Sequence, residues 1–338
     1  MNDPVIRTDQ TRCYDAEGGE IDCPGSGQDG ETRPGAAGPE PRFAVEDDAV
    51  RDRLTGLIWS RDANPGEFPM SWPEGLEFIA ELNRDRFLAE SDWRPPNRRE
   101  LFSLASHVQI NPSLPEGHPF ENVFPGYCWT STTVARLPEQ AWYVHLGGAR
   151  LFKGMKHGSY MVWPVRGGDG GKIRLPRTGQ RRCFNPKGAT DCAGIGQDGE
   201  VQAGLPWPEP RMATDGEIVN DRLTGRVWTR NADLTGGPVS WSDALARVAA
   251  LNRENAHGFS DWRLPSIREL ESLTDMDAHS PAIAGADNFE NIRDFYWSAT
   301  TSVYDPTYAW TFYSRDGIIG VGFKAKTEFG VWAVRGGG

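Results

Sequence analysis

Carboxylates beside glycine-rich turns are the first residues of this chain to invite a chemical reading. Gly25-Ser26-Gly27-Gln28-Asp29-Gly30 and Gly194-Ile195-Gly196-Gln197-Asp198-Gly199 both fit the GxGxxG spacing. That spacing cradles a pyrophosphate when a strand precedes it and a helix follows, so that the helix N-terminus meets the phosphates. Here a cysteine pair precedes each copy and a Pro-rich stretch follows, which predicts a tight turn and no nucleotide. The same turns carry Asp29 with Glu31, and Asp198 with Glu200, hard oxygen donors of the kind that hold calcium. Two carboxylates are few for that ion, and a solvated or capped turn is the competing expectation.

A second acidic pair follows an aromatic residue in a long irregular stretch: Glu121-Asn122 after Phe120, and Glu290-Asn291 after Phe289. Loops on a rigid scaffold commonly carry binding, and these side chains suit sugar hydroxyls or an ion. Hydrogen bonds that fix the loop itself are the alternative. Glu100 and Glu269 have the look of catalytic acids, yet each stands three residues after Asn97 or Ser266, where a capping box accounts for it. Asp92 with Arg94, and Asp261 with Arg263, flank a tryptophan and are expected to share a face as ion pairs. Arg166 and Arg335 are expected to be buried pair members. The histidines show no His-x-x-x-His spacing, and there is neither Cys-x-x-Cys nor Gly-x-Ser-x-Gly, so zinc and a serine nucleophile elbow are not expected.

These groups recur because the chain repeats itself. Trp59, Trp72, Asn83, Trp93 and Glu100 find Trp228, Trp241, Asn252, Trp262 and Glu269 at one constant offset, and Trp129 and Trp142 find Trp297 and Trp310 one residue closer. A period this long means tandem domains. The expected boundaries are 1–168 for the first domain, 169–181 for a linker and 182–338 for the second. Cys13 and Cys23, then Cys183 and Cys192, fall at matching places, and Cys128 is left over. That pattern predicts two short-loop disulfides, each pinning a hairpin, in an oxidising compartment. Met1-Asn2-Asp3-Pro4 is no signal peptide, so an export signal is expected to have been removed. A formal charge of -11 disfavours nucleic acid, and no apolar run approaches a membrane span.

Within each copy, Asp52-Arg53-Leu54-Thr55-Gly56 and Asp221-Arg222-Leu223-Thr224-Gly225 predict a turn into a strand ending at Trp59 or Trp228. Helices are predicted from Ser71 and Asn97, and from Ser240 and Ser266. After the long loop come strands over 127–134, 142–146, 150–153 and 161–166. The tryptophans shared by both copies are read mainly as core. This order predicts an α+β fold, two helices packed on a twisted antiparallel sheet.

The linked motifs Asp-x-x-Thr-Gly-x-x-Trp, Ser-Asp-Trp-Arg-x-Pro-x-x-x-Glu-Leu, Trp-(Ser/Thr)-x-Thr-Thr and Val-Arg-Gly-Gly resemble the Lcl C-terminal-like domain in both copies. The first copy departs at Arg94-Pro95-Pro96, where the second keeps Arg263-Leu264-Pro265. The resemblance implies two tandem C-type-lectin-like domains, export to the periplasm or cell surface, and a binding or adhesive role. The adhesin that names the family is associated with sulfated polysaccharides, which the charge of this chain does not favour. The Trp-Arg-Leu-Pro and Arg-Gly-Gly stretches also look like formylglycine-generating oxidoreductases, but the late cysteine pair of those enzymes is missing. The expectation is therefore a non-enzymatic envelope protein whose partner is a glycan or an envelope protein, with an accessory subunit of a larger assembly as the alternative.

Overall fold

The structure, a computed structural model, describes residues 3–185 and 187–337. Met1, Asn2, Gly338 and Pro186, which falls in the second predicted hairpin turn, lie outside them. A leading segment comes first, with strands β1 (Cys13–Tyr14) and β2 (Glu20–Ile21) and a single helical turn α1 (Asp29–Thr32). A core follows: β3 (Phe43–Glu46), β4 (Ala49–Asp52), β5 (Leu57–Ser60), α2 (Trp72–Arg84), α3 (Arg98–Leu104), β6 (Tyr127–Thr133), β7 (Gln140–His145), β8 (Arg150–Met155) and β9 (Val165–Gly167). The pattern then repeats as β10 (Cys183–Asn185), β11 (Gly188–Thr190) and α4 (Asp198–Val201), and as β12 (Met212–Asp215), β13 (Ile218–Asp221), β14 (Arg226–Thr229), α5 (Trp241–Arg253), α6 (Ile267–Ser272), β15 (Phe295–Thr301), β16 (Tyr308–Tyr313), β17 (Ile318–Phe323) and β18 (Val334–Gly336).

The predicted α+β class stands: two repeated units, each with antiparallel sheets and helices. Each core closes on itself, because its last strand pairs with its third: Ile58 faces Arg166, and Val227 faces Arg335. The short hairpins β3–β4 and β12–β13 lengthen those sheets and were not foreseen. Predicted helix starts hold. Asn97 and Ser266 accept from the amides of Glu100 and Glu269, and those carboxylates return to the cap amides, as a capping box requires. All twelve tryptophans of the repeat are buried, at most 4% exposed, so they are core as expected.

The compact units do not follow the boundaries of the repeat. One, here the middle unit, is the continuous stretch 37–206; the other, the closing unit, joins residues 3–36 to the chain from Trp207 onward. Each leading segment, a strap, therefore packs on the core of the opposite copy. Residues 3–36 lie on the last core and residues 173–206 on the first, so the linker expected at 169–181 runs into a packed segment.

Candidate functional site

The strap contacts explain most of the acidic residues that drew attention. Asp29 is fully buried, with one carboxylate oxygen accepting from Thr8 (2.9 Å) and Thr300 (2.5 Å). Asp198 accepts likewise from Thr178 and Thr132, both at 2.7 Å. Burial outweighs these bonds and pushes each carboxyl up to about 6. Beside them, Gln10 exchanges two hydrogen bonds with the Thr301 backbone, and Gln180 does the same with Thr133. Lys324 lies 4.0 Å from the centre of the Trp241 ring and donates to the Asp15 carbonyl. Lys156 lies 3.9 Å from Trp72 and donates to Phe184. Desolvation pushes these ammonium groups down to about 7 and about 8.

Glu31 and Glu200 do something different from their neighbours. Glu31 accepts from the amides of Gly25 and Gly27, and Glu200 from those of Gly194, Ile195 and Gly196. The glycine-rich turn is an anion-binding nest filled by its own carboxylate, which leaves no cradle for a phosphate. Gly30 and Gly199 are obligatory for packing, since a Cβ there would stand 2.3 and 2.2 Å from a strap carbonyl. The expected calcium pairs are not brought together: Asp29 and Asp198 point at threonines, while Glu31 and Glu200 point at amides. Among the described residues no group of three potential ligands forms. The disulfides Cys13–Cys23 and Cys183–Cys192 are formed as predicted and suggest an oxidising, extracytoplasmic compartment. Cys128 is free and buried, its thiol pushed up to about 12 by that burial.

The long-loop residues fix the loop. Glu121 pairs with Arg61 at 2.7 Å and Glu290 with Arg230 at 2.8 Å, while Asn122 and Asn291 donate to Asp62 and Asn231. The tryptophan-flanking pairs also differ from expectation, because the partners are crossed. Arg94 and Arg263 grip Glu100 and Glu269, whereas Asp92 and Asp261 receive Arg166 and Arg335. The last two arginines are only partly buried. Glu269 also binds Arg226; burial alone would raise its pKa, but the two guanidinium groups hold it down at about 2.

What the sequence reading missed is an aromatic face at the same place in both cores. In the middle unit Tyr160 packs 4.3 Å from Trp129 and 5.0 Å from Tyr143, and Tyr127 lies 4.9 Å from Tyr143. Tyr127 is 44% exposed, and the other two phenols are half-buried. In the closing unit Phe295, Tyr313, Phe329 and Trp297 occupy this face, Phe295 being 38% exposed. Next to Phe295 a cleft of about 360 Å³ opens between Pro238, the 292–295 loop, Glu328 and Gly330. Asp294 and Glu328 stand exposed on its rim, where the middle unit has Gly126 and Ser159. The missed signal was alternation: Tyr127 and Phe295 stand two residues before the core tryptophans Trp129 and Trp297, hence on the same side of the strand.

Two α+β units with strapped, disulfide-pinned hairpins and aromatic sheet faces define a tandem-domain protein. The chain belongs to the Lcl C-terminal domain family, whose model matches residues 48–166 and 217–335. The match covers each core from β4 or β13 onward and omits both straps. No curated protein matches the chain, and no solved structure does. Among the described residues no helix is long and apolar enough to cross a membrane.

Proposed function

We propose that this is a non-enzymatic, exported envelope protein of the periplasm or cell surface. Its two cores bind the apolar faces of neutral saccharides through the aromatic patches. The observation that carries this reading is the recurrence of an aromatic sheet face, partly open to solvent, at the same place in both cores. Aromatic rings stack on sugar C–H faces, and phenols add hydrogen bonds at the edge. In the closing unit the carboxylates of Asp294 and Glu328 take that polar role beside Phe295. A net charge of -11 favours neutral over sulfated glycans. A C-type-lectin-like assignment of each core fits the pairing of its last strand beside an early one, with the binding face on the later strands.

The test is titration of the intact protein with neutral and sulfated oligosaccharides. Y127A together with F295A should lower affinity for a neutral ligand by at least about tenfold, or about 1.4 kcal/mol. E121Q and E290Q should leave it unchanged. Binding that survives loss of both rings, or that requires sulfate, contradicts the proposal.

A further inference from the structure

One strap–core contact is made in this molecule by two different chain paths. Residues 173–206 follow directly on the core they cover, since the middle unit is continuous. Residues 3–36 reach their core only across space, because the whole middle unit intervenes in the chain. The bonds are nevertheless equivalent: Thr8, Asp29 and Thr300 repeat Thr178, Asp198 and Thr132, and Gln10 on Thr301 repeats Gln180 on Thr133. Such a contact requires a strap and a core within reach and does not depend on a particular covalent connection.

One position tells the two contacts apart. Asp3 binds Arg226 through both oxygens, at 2.8 and 3.0 Å, and Arg226 is fully buried. The matching residues of the middle unit are Ile173 and Leu57, both buried. An ion pair on one core thus stands where the other has two buried aliphatic residues. Either crossed combination sets a charge against an aliphatic side chain, which disfavours the wrong strap. Ala36 still bridges Ile6 within the first strap, and the chain passes into the middle unit through Ala37-Gly38, irregular chain with no side chain larger than a methyl.

We propose that the core of residues 207–337 is an acceptor for the strap of a second copy of this chain, so that two chains exchange residues 3–36 and join as a dimer. A second copy is the occupant because only the first strap carries the carboxylate that matches Arg226. The second strap is committed to the core that immediately precedes it.

The test uses D3I and R226L, each mismatched within its own chain. When the two are mixed, the D3I strap meets the R226L core with the aliphatic pairing of residue types that the middle unit has at Ile173 and Leu57, and the unaltered strap meets the unaltered core. Co-incubation at high concentration, read by light scattering and native mass spectrometry, should give mixed dimers enriched about tenfold over either variant alone, equivalent to about 1.4 kcal/mol. The doubly substituted D3I/R226L chain, matched again within itself, should return to the wild-type level of dimer. Should R226L fail to fold, light and isotope-labelled wild-type chains are incubated together, and dimers of mixed mass are expected. Monomers alone in both experiments overturn the proposal. So do dimers equally abundant with and without matched partners.

Discussion

Asp29 and Asp198 are acids held where a neutral group is more comfortable, and this fixes how their straps respond to pH. Their folded-state pKa of about 6 lies above the ordinary 3.8, so the folded chain holds the proton more tightly. The stability they contribute is complete below pH 3.8 and is lost as pH rises through 6. Lys324 and Lys156 act in the opposite sense. Their folded pKa values of about 7 and about 8 lie below 10.5, so stability rises as pH increases above neutrality. Chemical denaturation between pH 4.5 and 10 should therefore show a minimum near pH 6 to 7. On the acid side each buried carboxyl contributes on the order of 2–3 kcal/mol. D29N and D198N together should flatten that acid limb; an unaltered limb would assign the pH dependence to other groups.

The N-terminus of α6 gathers one carboxylate and two guanidinium groups. Glu269 closes a capping box and holds both Arg226 and Arg263, whereas Glu100 at α3 holds Arg94, and Leu57 stands at the place of Arg226. Removing the carboxylate takes an ion-pair partner from two guanidinium groups in one case and from one in the other, Arg226 keeping only Asp3. E269A should cost about 3–5 kcal/mol in urea denaturation, and E100A measurably less. Equal losses would mean that the cap, and not the arginines, dominates. Each disulfide closes a short loop, so C13S/C23S should cost about 2–3 kcal/mol, measured as a fall in the unfolding midpoint. Elements of this kind were legible in the sequence because their signals are local: Ser71 with Glu74, Asn97 with Glu100, a cysteine on either side of a turn. The hairpins at 43–52 and 212–221 escaped notice because Val45 and Glu46 are exposed and supply no apolar alternation.

For the whole molecule, the repeat was legible and its packing was not. Turn chemistry and cysteine spacing announce a hairpin but do not say which sheet it covers, because that contact is made by residues remote in sequence, such as Gln10 and Thr301. Two clues were present all along. Asp3 and Arg226 carry charge where Ile173 and Leu57 do not, and the family match leaves both straps outside its bounds. The aromatic face was half legible: Trp129 and Trp297 announced a buried strand, while Tyr143 and Tyr160 come together only once β6, β7 and the chain leading into β9 are assembled.

That the first segment of the chain completes its last core is the claim on which the straps, the pH response and the strap exchange all rest. Hydrogen–deuterium exchange on a chain lacking residues 3–36 tests it most directly. Protection should be lost in peptides from 226–337, above all around Thr300 and Lys324, and kept across 37–206. Loss confined to 37–168, with the last core unaffected, would contradict the account.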